Sequence, residues 1–408
     1  MVRRSVVLPV LAAAVIALSI TGCRKARIIE EGKDYSRVTN GPALRKLDRS
    51  EYPNLTLAFQ ARDQTLMAAL DRSISWYAKP STTQFFPLQE ITHPQAQASA
   101  VAMKQILASA TTADEFMQRL YAEFDVYQSV GWNGEGEVLF TGYYSPIFNA
   151  SAVRTDEFQY PLYKRPPDLV TNPVTGETLG RNINGQVIPY PTRAQIESSN
   201  MLAGYEFVYL RDPLDAYIIQ VNGSAKLVMT DGSIRYIGYA GNNGHPYTSV
   251  MRALVDEGKI DKNSINLATL RAYFREHPGE LAGYTRRNDR YVFFMDYGTD
   301  IWPAGSLGVK VTPFRSLATD KEKFPRGAVT MVQTSIPSTA TGELRRFDQF
   351  MMDQDTGGAI RAAGRADIYM GIGPEAEALA GRQFAEGRLY YFFLRPDRVA
   401  AWQAAMGK

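Results

Sequence analysis

Beyond about residue 131 the sequence predicts a mainly β protein, a barrel or a sandwich, with helices gathered ahead of it and two more set within it. Three observations carry that reading. Short runs rich in Tyr, Phe, Val and Ile, punctuated by Gly, Pro and Asn, recur at 217–221, 234–239, 291–295, 307–311, 329–334 and 389–394. Ahead of Gly131 the apolar residues keep a helical period instead, as Leu66, Leu70 and Ile74 do. The chain has 408 residues, 45% hydrophobic and 21% charged, the balance of a folded protein with a sizeable core and room for two domains.

The first elements are an address and a tether. Arg3 and Arg4 precede an apolar run over 6–20, broken by Pro9 and Ser19. That run is shorter than the roughly 20 residues that cross a bilayer, so 1–22 reads as a signal peptide. Ile20-Thr21-Gly22-Cys23 resembles a bacterial lipobox, which would make Cys23, the only cysteine, a lipidated N-terminus. Acyl chains contribute about 0.8 kcal/mol per buried methylene, enough for several chains to anchor a domain without a membrane-spanning helix. Arg24 and Lys25 follow in place of an acidic retention signal, pointing to the outer membrane with the body facing the periplasm. From 23 to 50 the chain is charged and patternless and is expected to be a tether.

Helices come next. Phe116, Leu120 and Phe124 repeat at helical spacing behind Thr112, with Glu115 three residues on as a capping box. Two later helices are expected around Val250, Leu254 and Val255, ending near Gly258, and around Leu267, Leu270 and Phe274, ending before Pro278.

Charge and composition exclude several functions. Lys plus Arg is 45 against 42 Asp plus Glu, a formal charge of +3 with no concentrated basic face, so no nucleic-acid partner is expected. One cysteine and three scattered histidines, His93, His245 and His277, lack zinc-ligand spacing, and neither a metal nor another cofactor is expected.

The strongest chemical signal is Asp355-Thr356-Gly357-Gly358-Ala359-Ile360, followed by Gly364-Arg365-Ala366-Asp367-Ile368-Tyr369 and Gly371-Ile372-Gly373-Pro374. Two glycines behind an aspartate permit a tight turn. A strand return across it would bring Asp355 and Asp367, twelve residues apart, to one cleft. Neighbouring carboxylates push one pKa up, which keeps a general acid protonated near neutrality. The alternative is that Asp355 only caps the turn and Asp367 ends an exposed strand.

These segments, with Ala318-Thr319-Asp320 and Pro325-Arg326-Gly327 upstream, resemble the three-aspartate domain of the membrane-bound lytic murein transglycosylase A family. Phe140-Thr141-Gly142-Tyr143-Tyr144-Ser145-Pro146, Glu157-Phe158-Gln159-Tyr160-Pro161, Gln220-Val221-Asn222-Gly223-Ser224, Tyr239-Ala240-Gly241-Asn242-Asn243-Gly244-His245 and Tyr291-Val292-Phe293-Phe294 extend the likeness over roughly 140–394. The resemblance implies a double-psi β-barrel catalytic domain made of 51–145 and 304–408. A second β-barrel domain, 146–303, would be inserted into it, with a glycan groove between the two.

It also implies the chemistry. The family cleaves the β-1,4 bond between N-acetylmuramic acid and N-acetylglucosamine of peptidoglycan and leaves a 1,6-anhydro end. Asp367 would act as acid and then base, Asp355 would assist, and Asp320 would be structural. Thr141, Gly142, Tyr144, Gln220, Gly223 and Ser224 would line the groove. Glu375, in a first helical turn, competes with Asp367 as the acid, although carboxylates are common there for dipole reasons. His245 reads as a turn residue satisfied by backbone. Two rivals stay open: a hydrolase with Asp355 as base, and a glycan-binding lipoprotein without catalysis.

Overall fold

The computed structural model describes residues 32–38, 41–173, 176–261, 264 and 266–406. The signal peptide and Cys23 lie outside them. Four helices open the body: α1 (Thr56–Gln60), α2 (Gln64–Tyr77), α3 (His93–Ser109) and α4 (Ala113–Glu123). Asp63 caps α2 through the Leu66 N–H, and Thr92 and Gln95 form a reciprocal box on α3. On α4 only half the expected box forms. Thr112 accepts from the Glu115 N–H, but the Glu115 carboxylate reaches back to the Thr111 N–H at 2.9 Å. Phe124, which the helical period included, is instead the first residue of a strand.

The strands in chain order are β1 (Leu44–Lys46), β2 (Phe124–Ser129), β3 (Val138–Ser145), β4 (Ile147–Ser151), β5 (Tyr160–Tyr163), β6 (Leu169–Thr171), β7 (Thr178–Ile183), β8 (Gln186–Ile188) and β9 (Glu206–Leu210). There follow β10 (Ser224–Met229), β11 (Ile234–Asn242), β12 (Val292–Asp296), β13 (Ser316–Ala318), β14 (Val329–Pro337), β15 (Leu344–Asp355), β16 (Arg365–Ile372) and β17 (Phe384–Leu394). Six of these close on themselves in the order β3-β16-β13-β15-β14-β17, because β17 pairs with β3 as well as with β14. Closure removes the exposed edges of the sheet. The β3–β16 and β13–β15 pairs are parallel, so the chain returns to each by crossovers and not by hairpins.

The helices are stitched to this barrel by buried polar groups. Gln95 of α3 donates to the Leu394 carbonyl at 2.7 Å, and the Leu394 N–H returns a bond to Ser99 at 2.8 Å. Gln354 of β15 donates to the Ala69 carbonyl and Ser73 of α2 while accepting from Ser316. Each group is satisfied, as burial requires.

Three sequence expectations change here. The ordered body begins inside the expected tether, since β1 pairs with β2 and Ala43, Leu44 and Leu47 are buried. The apolar run 217–221 is helical, part of α6 (Pro213–Asn222). Asp212 caps it, Pro213 opens it and Gly223 closes it at φ 75°, and these end signals decide between helix and strand where a short, largely apolar run does not. Residues 307–311 form a turn with one bridge, Ala304 to Lys310, and no strand.

After Ser145 the chain leaves the first barrel, and β4 starts a second sheet at Ile147. That sheet runs β12-β11-β10-β4-β9-β5, and a bridge from Lys164, just past β5, to Phe294 of β12 joins its two ends. Its core holds Leu162, Val208, Ile219, Leu227, Ile237 and Phe294. The small sheet β6-β7-β8 and helices α5 (Arg193–Glu197), α6, α7 (Val250–Asp256), α8 (Leu267–Glu276) and α9 (Leu281–Thr285) complete this half. Two last helices, α10 (Gly373–Arg382) and α11 (Pro396–Met406), belong to the first. The molecule is mainly β, a closed barrel carrying an inserted second one, as the resemblance implied.

Candidate active site

Strand register brings the two aspartates together. Ala318, in the short central strand β13, pairs with Asp355 of β15 on one side and with Asp367 of β16 on the other. The carboxylates therefore stand at one level, two strand widths apart, about 10 Å between backbones. The glycine turn that separates them in sequence folds over the top.

Asp367 pairs across the parallel ladder with Thr141 of β3, whose hydroxyl donates to its Oδ1. Arg365, two residues earlier on the same face of β16, donates from Nε to the same oxygen at 3.2 Å and from Nη2 to Thr141 at 3.2 Å. Its Nη1 bonds the Ala359 carbonyl at 3.2 Å. The Asp367 side chain keeps 13% of its surface open. It is covered but reachable.

Asp355 is half-buried and held differently. Its Oδ1 accepts the Ser306 N–H at 2.7 Å and the Thr356 N–H at 2.8 Å. Burial raises its pKa above the ordinary carboxylate value, against the pull of those two N–H groups, of Tyr143 and of Lys321. It does cap its own turn, and it faces Asp367 as well. The approach of 305–306 is close. A Cβ on Gly305 would lie 2.6 Å from the Gln354 carbonyl oxygen, so only glycine fits there.

Behind Asp355 lies a buried charge cluster that sequence reading missed. Asp353 is fully buried and accepts from Lys321 Nζ, from Thr319 and from the Tyr391 hydroxyl at 2.8 Å. Burial lowers the Lys321 pKa while Asp353 opposes the shift. Neither residue stands in a recognisable spacing, because the cluster draws on the segment after β13, on β15 and on β17. Asp320 is buried beside this cluster. It accepts the Ala362 N–H at 2.9 Å and the Glu322 N–H at 3.0 Å, tying the far end of the glycine turn to the barrel.

The expected groove residues divide. Thr141 sits on Asp367. Gly142 is a packing position, since a Cβ there would lie 2.8 Å from Ala380 Cα of α10. Tyr144, expected to line the groove, is buried and donates to Glu377 of α10 at 2.9 Å. Neighbouring strand residues face opposite ways, so once Thr141 faces the aspartates, Tyr143 does too and Tyr144 does not. That parity was available in the sequence. Gln220 is also turned inward, accepting from Arg193 Nη2 at 2.7 Å within the insert. Gly223 caps α6, and Ser224 opens β10 opposite Gly238. Glu375 is exposed in the first turn of α10. His245 meets the Tyr190 carbonyl at 2.7 Å, as a turn residue satisfied by backbone would.

The insert closes over the turn. A Cβ on Gly358 would touch Tyr247 of the insert at 3.7 Å, and Tyr247 feels the charge of Arg365. Arg290 of the insert and Arg361 of the turn act on one another across the same gap. Among the described residues no three His, Cys, Asp or Glu side chains gather as a metal site.

Comparison with known proteins decides the family. The MltA specific insert domain matches residues 139–295 and the 3D domain matches 315–393. Membrane-bound lytic murein transglycosylase A of Escherichia coli (strain K12) is 30% identical over 276 residues, 67% of this chain and 70% of that protein. The chain belongs to the membrane-bound lytic murein transglycosylase A family. It is therefore an enzyme of the lytic, lyase-type class. The membrane-bound lytic murein transglycosylase of Agrobacterium tumefaciens superposes with a TM-score of 0.71 at 25% identity, over 87% of this chain and 99% of that one. The E. coli MltA structure with bound chitohexaose gives 0.64 at 25% identity, over 90% and 98%.

Proposed function

We propose that this enzyme cleaves the β-1,4 bond between N-acetylmuramic acid and N-acetylglucosamine in peptidoglycan and leaves a 1,6-anhydro-N-acetylmuramic acid end, with Asp367 as acid and then base. The observation that carries the reading is the register that sets Asp355 and Asp367 on either side of Ala318, with the Thr141 hydroxyl bonded to Asp367 and not to Asp355. Asp367 protonates the glycosidic oxygen as its bond to C1 breaks. The C6 hydroxyl of the same sugar then attacks C1, and its proton returns to the Asp367 carboxylate. No water enters, because the nucleophile is tethered to the substrate at high effective concentration. An ordinary glycosidase uses its second carboxylate as nucleophile or water activator. Here Asp355 supplies negative charge near the ring as positive charge develops on it.

Arg365 complicates the first step. Its guanidinium lies on the Asp367 carboxylate at 3.2 Å, and for Asp367 to act as the acid this ion pair has to open when the glycan enters. The chitohexaose held by the E. coli relative supports a glycan strand as the occupant of the cleft between the barrels.

Incubating the chain truncated after Cys23 with purified peptidoglycan, then weighing the released muropeptides, tests the reaction. Anhydro ends are expected; reducing ends would make the enzyme a hydrolase, and no release would make it a binding protein. Lipid attachment at Cys23 and residence in the outer membrane rest on the lipobox and on the membrane-bound character of the relatives. Cys23→Ala is expected to leave full activity in a protein released from the outer-membrane fraction.

A further inference from the structure

One hydroxyl in the site is only loosely held. The Tyr143 OH is buried and makes no close hydrogen bond among the described residues, while the Asp355 carboxyl lies near enough to act on it as an acceptor. Most buried hydroxyls are paired, and one left loosely held beside reacting groups calls for an explanation. Its neighbours are known. Tyr143 lies on β3 two residues past Thr141, on the same face, and pairs with Tyr369 two residues past Asp367. Its ring packs on that of Tyr369 with centroids 5.1 Å apart, and the Tyr369 hydroxyl is already engaged with Ser145 at 2.9 Å. The carboxylate that acts most strongly on this hydroxyl is Asp355, with Asp367 also within electrostatic range. Asp355 spends its Oδ1 on two backbone N–H groups.

We propose that Tyr143 is a positioning residue for the reaction: its hydroxyl closes onto the Asp355 carboxylate and holds it as the fixed negative charge facing the sugar ring, opposite Asp367. The proposal rests on the transglycosylase reading and deepens it. A phenol suits the task. Burial, with the neighbouring Asp355 charge, pushes its pKa well up, so it stays a neutral donor throughout the working range and adds no charge of its own. The other groups that bear on Asp355 are Lys321 from the segment after β13, Tyr369 from β16, and the Ser306 and Thr356 amides. Lys321 is already committed to Asp353, which leaves Tyr143 as the side-chain donor with a bond to give.

Tyr143→Phe removes one buried oxygen that makes no close hydrogen bond at rest, so the variant should fold and melt at or above the parent temperature. That makes the readouts clean. The turnover number on peptidoglycan should fall at least tenfold at neutral pH, while affinity for chitohexaose, measured with Asp367→Asn in both backgrounds, stays within twofold. The acidic limb of the pH–rate profile should move to higher pH, because an Asp355 without its donor holds its proton longer. A double-mutant cycle adds the decisive arm: in an Asp355→Asn background, Tyr143→Phe should change the rate by less than twofold. Unchanged turnover, an unmoved acidic limb, or independent effects in the cycle would each overturn the proposal. Product analysis of the parent separates the two readings. Reducing ends would defeat the transglycosylase assignment while a coupled Tyr143 and Asp355 would still stand.

Discussion

The two barrels answered the same kind of sequence signal in opposite ways. In the first, Asp355, Asp367 and Thr141 come together from three strands around Ala318. In the insert, Gln220, Gly223 and Ser224 go into a helix, its cap and a strand start, and Gln220 faces Arg193 and not the cleft. The difference lies in what forces the residues inward. On the Asp367 side, the glycine turn meets Arg365, whose guanidinium bonds Asp367, Thr141 and the Ala359 carbonyl, and the insert's Tyr247. Gln220, on the buried face of α6, is the acceptor that lets Arg193 lie inside the insert, where the guanidinium also bonds the Asn288 and Arg290 carbonyls. A motif can mark a fold as readily as a binding surface.

The sharpest way to break this comparison is to remove the acid. Asp367→Asn keeps size and can still accept from Thr141, but it can neither give a proton to the leaving oxygen nor take one from the C6 hydroxyl. General acid–base catalysis is worth about 10² to 10⁴ in rate, and a group that does both should sit at or beyond the upper end. Muropeptide release is the assay. Near-normal release from a folded Asp367→Asn, with loss in Glu375→Gln, would move the acid to α10.

A smaller effect, of another kind, is expected in the insert. Gln220→Ala leaves the buried Arg193 guanidinium short of one acceptor. A lost buried partner of this sort destabilises by about 1–3 kcal/mol. Thermal unfolding should report that loss, while turnover and apparent affinity, measured well below the transition, stay within twofold. A raised KM at unchanged melting temperature would instead put Gln220 in the groove and erase the contrast between the barrels.

How far the sequence could be read follows the same division. The convergence of Asp355 and Asp367 was legible because an aspartate with Gly357 and Gly358 close behind it favours a tight turn. The tyrosine facing them was one parity step away. Thr141 and Tyr143 share a face, and only the pairing with Asp367 says which face it is. The Asp353–Lys321 pair left no trace, since the two lie 32 positions apart and Tyr391, which also bonds Asp353, lies 38 positions beyond it. Helix α6 was misread because Tyr217-Ile218-Ile219-Gln220-Val221 is too short to show a period, and β1 was missed because Leu44 is its one apolar residue, followed by Arg45 and Lys46.

The smallest expected effect concerns Asp355, and its sign distinguishes a functional carboxylate from a structural one. Its folded-state pKa is raised, chiefly by burial. The folded protein therefore binds that proton more tightly than the unfolded chain, whose aspartates titrate near about 3.9. Stability from this group is fully present below that value and is lost as pH rises through the higher folded-state value. At neutral pH the ionised carboxylate is a net burden on the fold. Asp355→Asn still offers an oxygen to the Ser306 and Thr356 amides but never ionises, so it should melt slightly above the parent at pH 7. The two curves should converge as pH falls towards 4. Turnover should meanwhile fall by less than about 10²-fold, short of the Asp367 variant, because only a supporting charge is gone. A variant that melts lower at neutral pH would mean that the charge serves the fold, as Asp353 does beside it. One that melts higher and works more slowly would mark a charge retained for the reaction at some expense of stability.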